Sequence, residues 1–314
     1  MSLPALKILL ASPRGFCAGV TRAVSTVEVA LKKYGGKVYV RHEIVHNKYV
    51  VDSLARSGAV FVSELDEVPD GAAVILSAHG VPQSVKEEAK RRGLKVIDAT
   101  CPLVEKVHRE ARKNYENGTK TLLIGHEGHP EVIGTMGQIP KDSIMLISSE
   151  KDIDSIPQSW RENISYVTQT TLSLDETQVF LDALKVKIPH LKKPYGNDIC
   201  YATTNRQRAV KSIAQKCDAV MVIGSPNSSN SKRLAEVAKE AGCPKSVLVQ
   251  RASEIDWDEI GKLKTLGVTA GASAPQILVQ EVLDEAGKRF DVTLEEFAQN
   301  EEHVKFALPD IPTE

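Results

Sequence analysis

The chain has 314 residues, 42% of them hydrophobic, with 40 Lys and Arg against 41 Asp and Glu for a net charge of −1. This length has room for two or three domains with substantial cores, and the even charge balance excludes a nucleic-acid binder driven by a broad basic surface. No apolar run approaches a membrane span, and Lys7 interrupts the only N-terminal stretch of that kind, so no membrane contact is expected and the cytoplasm is the expected compartment.

In chain order, Lys7–Ala11 reads as a buried strand and Ser12–Gly15 as a turn. Val20, Ala23, Val24, Val27 and Leu31 then form the apolar face of a helix from Ala18 to Tyr34, ended by Gly35-Gly36. Strands are predicted at Lys37–Ile44, Ala59–Val62, Ala73–Leu76 and Leu94–Ile97, with helices at Lys48–Ser57 and Lys86–Arg92. A helix follows Cys101, then the strand Lys120–Gly125, the helix Pro130–Gln138, strands at Ser143–Ser148 and Ile164–Thr168, and a helix Ser173–Lys187. Ser173 and Glu176 have capping-box spacing. Another helix follows Cys200 to about Lys216. Then come the strand Ala219–Gly224, the helix Lys232–Glu240, strands at Ser246–Gln250 and Leu266–Ala270, and a helix from Pro275 to Lys288, where Ser273 and Gln276 are spaced as a second box. The acidic Leu294–Glu302 reads as one more helix, and Pro309–Glu314 as a loose tail.

Alternating strands and helices predict parallel α/β layers, and the pattern repeats three times. Cys17, Cys101 and Cys200 each stand just before a helix. His46 lies 29 residues after Cys17, His129 lies 28 after Cys101, and Ser228 lies 28 after Cys200, each in a polar loop that follows a strand. Each block continues to a second strand and polar loop, at Ser77-Ala78-His79-Gly80, Thr168-Gln169-Thr170-Thr171 and Gly271-Ala272-Ser273-Ala274. Three pseudo-symmetric α/β domains with mostly parallel sheets are therefore expected, over residues 17–100, 101–199 and 200–290, with 291–314 as a C-terminal tail. The strand before Cys101 should complete the first sheet. By analogy the N-terminal strand within residues 1–16 should join the third, closing a ring around the cysteines.

Five cysteines spread through a chain without an export signal argue against a disulfide framework and for metal or redox chemistry. Three thiols in matched strand-to-helix settings suggest an iron–sulfur cluster. Such clusters usually take four thiolates, and three would leave one iron open to substrate. The competing reading is that the thiols are buried and inert. The matching weighs against it for these three, whereas Cys217 and Cys243 lack counterparts and are expected to be inert. Zinc is not supported, because His126 and His129 are three apart and interrupted by Gly128, with Pro130 following. His46, His79, His129, Thr170, Thr171, Ser228, Asn230 and Ser273 all lie at or near predicted helix starts, where backbone N–H groups and dipoles favour a compact phosphate or diphosphate. For Thr171 and Ser273 plain capping is the stronger reading. Histidine is a poor cap, which favours binding for the histidines, while His42, His108, His190 and His303 read as surface or structural residues. Glu131, in the first turn of a helix, is either a dipole partner or a proton donor, and its position does not decide between them.

Several long motifs carry a resemblance. They are Arg14-Gly-Phe-Cys-Ala-Gly-Val20, Ser77-Ala-His-Gly-Val81, Asp98-Ala-Thr-Cys-Pro-Leu-Val104, Gly128-His-Pro-Glu-Val132, Thr168-Gln-Thr-Thr-Leu-Ser173, Asp198-Ile-Cys-Tyr-Ala-Thr-Thr-Asn-Arg206, Gly224-Ser-Pro-Asn-Ser-Ser-Asn-Ser231 and Gly267-Val-Thr-Ala-Gly-Ala-Ser-Ala-Pro275. From about Lys7 to Leu283 the chain resembles the 4-hydroxy-3-methylbut-2-enyl diphosphate reductases, oxidoreductases of the non-mevalonate isoprenoid pathway. The resemblance implies three domains around a central [4Fe–4S] cluster held by Cys17, Cys101 and Cys200, with the substrate hydroxyl on the fourth iron. It implies a diphosphate held by His46, His79, His129, Ser228, Ser229, Asn230 and Ser273, with Thr170 and Thr171 beside it. It also implies Glu131 as proton source with Thr170 in the relay, a ferredoxin- or flavodoxin-type electron donor, and a monomer. Two electrons and protons would release water and leave isopentenyl or dimethylallyl diphosphate. A non-catalytic iron–sulfur carrier or sensor would need the cysteines but not the polar residues, and a metal-free phosphate-binding module would need only the latter. Iron content after anaerobic reconstitution should collapse in the Cys17→Ser, Cys101→Ser and Cys200→Ser variants and survive in Cys217→Ser and Cys243→Ser. Full iron retention in Cys101→Ser would remove it from the ligand set.

Overall fold

A computed structural model describes residues 3–298 and 301–312. Its elements in chain order begin with β1 (Ala5–Ser12), α1 (Ala18–Lys33), β2 (Val38–Arg41), α2 (Lys48–Arg56), β3 (Ala59–Val62), β4 (Ala73–Leu76), α3 (Gln83–Arg91) and β5 (Lys95–Asp98). Next come α4 (Pro102–Glu116), β6 (Lys120–Ile124), α5 (Pro130–Met136), β7 (Ile144–Ile147), α6 (Glu150–Asp154), β8 (Ile164–Thr168) and α7 (Leu174–Lys187). The last stretch holds α8 (Tyr201–Ala214), β9 (Ala219–Ile223), α9 (Ser229–Glu240), β10 (Ser246–Val249), α10 (Trp257–Ile260), β11 (Thr265–Ala270), α11 (Gln276–Gly287) and β12 (Asp291–Ala298).

The chain divides into two compact units. The first comprises residues 1–18, 46–50 and 201–305 and contains the sheet β10-β9-β11-β1-β12. The second comprises residues 19–45, 51–200 and 306–314 and contains the sheets β3-β2-β4-β5 and β7-β6-β8. Every strand pairing is parallel. Parallel strands need covered faces, and β4, β6 and β9 accordingly read as apolar runs rather than alternating ones. In the first unit the core on one face of the sheet is built from Ile8, Leu10, Met221, Leu266, Val268, Leu278 and Val282. The other face packs Leu9, Val220 and Val222 on Val210 and Ile213 of α8 and Leu234 of α9.

The repeat appears as one strand order used three times. β3-β2-β4 is completed by β5, the strand before Cys101, and β10-β9-β11 is completed by β1, the strand before Cys17. Leu9 sits opposite Gly267, as Ile75 sits opposite Ile97. Before Cys200 the completing strand shrinks to a single parallel bridge between Ser165 and Lys192. Pro189 and Pro194 flank that stretch and supply no N–H for a longer ladder.

Three expectations fail near the C-terminus. Leu294–Glu302 does not start a helix. Its first residues belong to β12, paired to β1 from Ala5↔Asp291 through Ser12↔Ala298; Gln299 and Asn300 lie outside the described residues. Unpaired N–H and C=O groups on the free edge of β1 outweigh the weak helix preference of Leu-Glu-Glu, and Lys7–Glu295 and Arg14–Glu296 ion pairs at 2.7 Å line the edge. Ser273 does not cap α11, whose N-cap is Pro275 with no side-chain bond. Nor are the described residues of the tail loose: Lys33 Nζ donates to the Ile311 carbonyl (2.6 Å) and the Tyr34 hydroxyl to that of Pro312 (2.7 Å), while Thr313 and Glu314 lie outside the described residues. Ser173, by contrast, caps α7 and accepts from the Glu176 amide. Leu266→Ala, at a fully buried site on β11, should lower stability by about 2–5 kcal/mol, whereas Leu294→Ala on β12, half exposed, should stay within about 0.5 kcal/mol. Urea unfolding of the full chain checks both, and equal losses would contradict this assignment of core and edge.

Candidate active site

Polar side chains gather where parallel strands end, because the chain must turn there and its amides need partners outside the ladder. In the first unit, β1 leads through Gly15 to Cys17. The Gly15 amide donates to the Ala270 carbonyl and the Cys17 amide to that of Ala272, at 3.1 and 3.2 Å. Gly15 has φ +69°, and a Cβ there would lie 3.2 Å from the Ala274 carbonyl oxygen. Buried Asn230, in the first turn of α9, accepts from the Ala272 amide through Oδ1 at 2.9 Å. Ser228 is the N-cap of α9 and accepts from the Ser231 amide, with Ser229 following at the helix start. Ser273 spends its hydroxyl on the His46 carbonyl (2.9 Å) and reaches Ser228 Oγ at 3.5 Å. Here the fold gathers four of the expected residues: His46, Ser228, Asn230 and Ser273.

In the second unit, Cys101 is the N-cap of α4, with Pro102 at the first helical position. Its amide donates to the Ala78 carbonyl at 3.0 Å. The next residue after Ala78 is His79, whose ring meets that of His129 edge-on with centroids 6.1 Å apart. Gly80 then turns at φ +77°, and a Cβ would lie 2.5 Å from His108 Cε1. Buried His108 is therefore structural, seated beneath this turn. His129 departs from expectation in being a cap: its Nδ1 accepts from the Glu131 amide at 3.2 Å. With Nδ1 accepting, the proton of the neutral ring sits on Nε2.

Glu131 is buried, and Oε1 accepts from the Thr170 amide at 3.3 Å. Burial pushes its carboxyl up to about 7; the Asp198 charge adds to this and hydrogen bonds from Thr170 oppose it. The Thr170 carbonyl accepts from the Cys200 amide at 3.0 Å, so Glu131 is one residue removed from that thiol's turn. Thr171 accepts from Gln169 Nε2 at 2.8 Å. Asp198 lies two residues before Cys200, with Oδ1 on Lys106 Nζ and Oδ2 on the Thr168 amide, both at 3.0 Å. Sequence reasoning assigned nothing to Asp198, although it opens the motif around Cys200, and nothing at all to Lys106, which no spacing marks.

The cysteines differ in kind. Cys17, Cys101 and Cys200 are outside any disulfide and half-buried. Cys217 and Cys243 are buried, and burial pushes the Cys217 thiol up to about 12, as for an inert core sulfur. Among the described residues no group of three or more His, Cys, Asp or Glu forms a ready metal site. Cys17 belongs to the first unit, and Cys101 and Cys200 to the second. The donor chemistry nevertheless suits an iron–sulfur cluster: three partly exposed thiols outside any disulfide, each on a turn whose cysteine amide is hydrogen-bonded.

An all-parallel α/β frame that gathers thiols and polar groups at its strand ends can host redox chemistry on a bound substrate. The chain belongs to the LytB protein family, which matches residues 8–286. It is 54% identical over 311 residues to the 4-hydroxy-3-methylbut-2-enyl diphosphate reductase of Cereibacter sphaeroides, covering 99% of this chain and 98% of that one. To the enzyme of the same name from Methylocella silvestris it is 55% identical over 307 residues, covering 98% and 96%. The solved structure of the E-1-hydroxy-2-methyl-but-2-enyl-4-diphosphate reductase from Plasmodium falciparum superimposes with a TM-score of 0.93 at 38% identity, over 98% of this chain and 96% of that one.

Glu131 gives the unit a pH signature. Between about pH 4.5, its ordinary value, and about 7 the folded chain holds a proton that the unfolded chain has lost. Stability therefore falls as pH rises through that window, by on the order of 3 kcal/mol, and the full cost stands above it. Glu131→Gln should consequently gain stability relative to the parent on going from about pH 5 to about pH 8, measured by urea midpoints of the iron-free protein. An unchanged difference would mean the carboxyl is not held protonated.

Proposed function

We propose that this chain reduces (E)-4-hydroxy-3-methylbut-2-enyl diphosphate to isopentenyl and dimethylallyl diphosphate, with Cys17, Cys101 and Cys200 holding a [4Fe–4S] cluster. Similarity to reductases of that name along almost the whole chain supports the substrate. The observation that carries the chemistry is Glu131, a buried carboxyl that stays protonatable near neutral pH beside Thr170 and His129. When bound, the cluster would supply two electrons in single steps and a Lewis-acidic iron for the departing hydroxyl.

The chain's own residues do the rest. His46, His79, His129, Thr171, Ser228, Ser229, Asn230 and Ser273 bind and orient the diphosphate. Neutral donors and helix-start amides suit its charge without a nucleotide loop. His129 keeps its proton on Nε2 by accepting at Nδ1 and so presents a donor. Glu131 holds a proton at its carboxyl and passes it through the Thr170 hydroxyl to the leaving oxygen, so hydroxide leaves as water; reprotonated from solvent, it delivers a second proton to the allylic carbon. The two-electron reduction breaks the C–O bond, and protonation at either end of the allylic anion yields the two products. A ferredoxin- or flavodoxin-type donor, a monomeric chain and a cytoplasmic location go with this reading. So does the division into three α/β domains at residues 17–100, 101–199 and 200–290, with the N-terminal strand in the third and 291–314 as tail. Among the described residues no helix is long and apolar enough to cross a membrane.

The test uses anaerobically reconstituted full-length protein, the named diphosphate and a chemical reductant, with products read by mass spectrometry. Glu131→Gln keeps the side-chain shape but cannot deliver a proton. It should retain iron and bind substrate while losing at least about a hundred-fold in turnover, the low end of general-acid contributions. Near-normal turnover would assign Glu131 to a structural role. An iron-loaded parent that leaves the substrate untouched would favour an electron carrier instead.

A further inference from the structure

Two arginines, one in each unit, connect a cysteine-bearing turn to the same short piece of the C-terminal segment. Arg206, in α8, is fully buried. Its Nε and Nη2 donate to the Gly15 carbonyl at 3.1 and 2.7 Å, Nη2 also to that of Phe16 at 3.4 Å, and Nη1 to that of Ala202 at 2.9 Å. These first two carbonyls immediately precede Cys17. The charge is balanced by Glu302, whose carboxylate meets Nη1 at 3.1 and 3.2 Å and Nη2 at 3.3 Å and also accepts from Asn205 Nδ2 at 3.1 Å. A buried guanidinium without a carboxylate would be strongly unfavourable, so the position of Arg206 depends on Glu302 being in place. In the second unit, Arg22 of α1 donates through Nη1 to the Thr100 carbonyl at 3.0 Å and through Nη2 to that of Asp98 at 3.5 Å. Thr100 immediately precedes Cys101. The Nε of the same side chain donates to the Ala307 carbonyl at 2.7 Å.

Turn carbonyls ahead of a helix have no ladder partners and need donors from elsewhere. The planar, five-donor guanidinium can bind two carbonyls and a third group in a fixed geometry, which an ammonium cannot. We propose that residues 302–307 are a positioning element for the cysteine turns, setting Cys17 through Glu302 and Arg206 and Cys101 through Ala307 and Arg22. Arg206 and Arg22 are thus positioning residues whose hold on the thiols depends on the chain's C-terminal segment. The inference rests on reading Cys17 and Cys101 as cluster ligands, but the turn geometry can be probed without iron.

The experiment is hydrogen exchange by mass spectrometry on full-length Glu302→Gln and Arg22→Met, iron-free and reconstituted, together with iron content and the EPR spectrum of the reduced cluster. In iron-free Glu302→Gln the Gly15–Cys17 amides should exchange at least about ten-fold faster while the Cys101 amide is unchanged, and in Arg22→Met the pattern should invert. Both variants should hold less iron than the parent and give altered EPR line shapes, with Arg22→Lys intermediate. Unchanged exchange at both turns, or a uniform rise that includes the β9 amides, would overturn the inference. Should Glu302→Gln not fold, half-exposed Arg22→Met decides it alone. A parent chain that takes up no iron would overturn the proposed function, while the exchange data would still judge the positioning element.

Discussion

Each of the three half-buried cysteines, Cys17, Cys101 and Cys200, is tied by its own amide to a carbonyl just past the end of a neighbouring strand. Cys17 donates to Ala272, Cys101 to Ala78 and Cys200 to Thr170. In a parallel sheet all strands finish on the same side, so a helix entering there brings its first residue beside the loop of the adjacent strand. That bond fixes where each thiol stands, and the residues around the accepting carbonyl are the expected substrate ligands: Ser273, His79, and Thr170 with Thr171. Thiol placement and polar-group placement follow from one backbone interaction made three times.

Electrostatics divides labour around this frame. The first unit offers hydroxyls and an amide, whose polar atoms largely bond one another or nearby backbone: Ser228 to Ser231, Asn230 to Ala272, Ser273 to His46. Such groups are preorganised at little charge cost. The second unit concentrates the titratable groups. Burial pushes the Asp198 carboxyl up while Lys106 and the Thr168 amide oppose this, and its charge in turn helps hold the Glu131 proton. A carboxyl needed as an acid near neutral pH requires such a setting, with few compensating donors and a negative neighbour.

The C-terminal stretch shows the opposite relation between sequence and structure. Leu294, Glu295 and Glu296 form strand because the edge of β1 is there to be paired, and Pro312 is held because the Tyr34 hydroxyl reaches its carbonyl. Neither partner lies within 270 residues in the chain, so no local pattern reports it. Separations of 191 and 96 residues likewise hide Arg206, which reads as an ordinary helix residue until Gly15 and Glu302 are found around it.

Sequence alone was enough for the strand–helix alternation, the three-fold repeat with its three matched cysteines, and the N-terminal strand's place beside the third block. Those are carried by periodic apolar residues and by turn chemistry, which act over a few neighbours. It was also enough for the family, through motifs that cover most of the chain. Tertiary structure alone decided which hydroxyls cap helices and which bond across loops, as with Ser173 against Ser273. It alone decided that His129 is a cap with a set tautomer, that Glu131 is buried deeply enough to keep a proton, and that Asp198 stands near it. Burial and hydrogen-bond partnership depend on what the rest of the chain places around a residue, and in a parallel fold those neighbours come from far along the sequence.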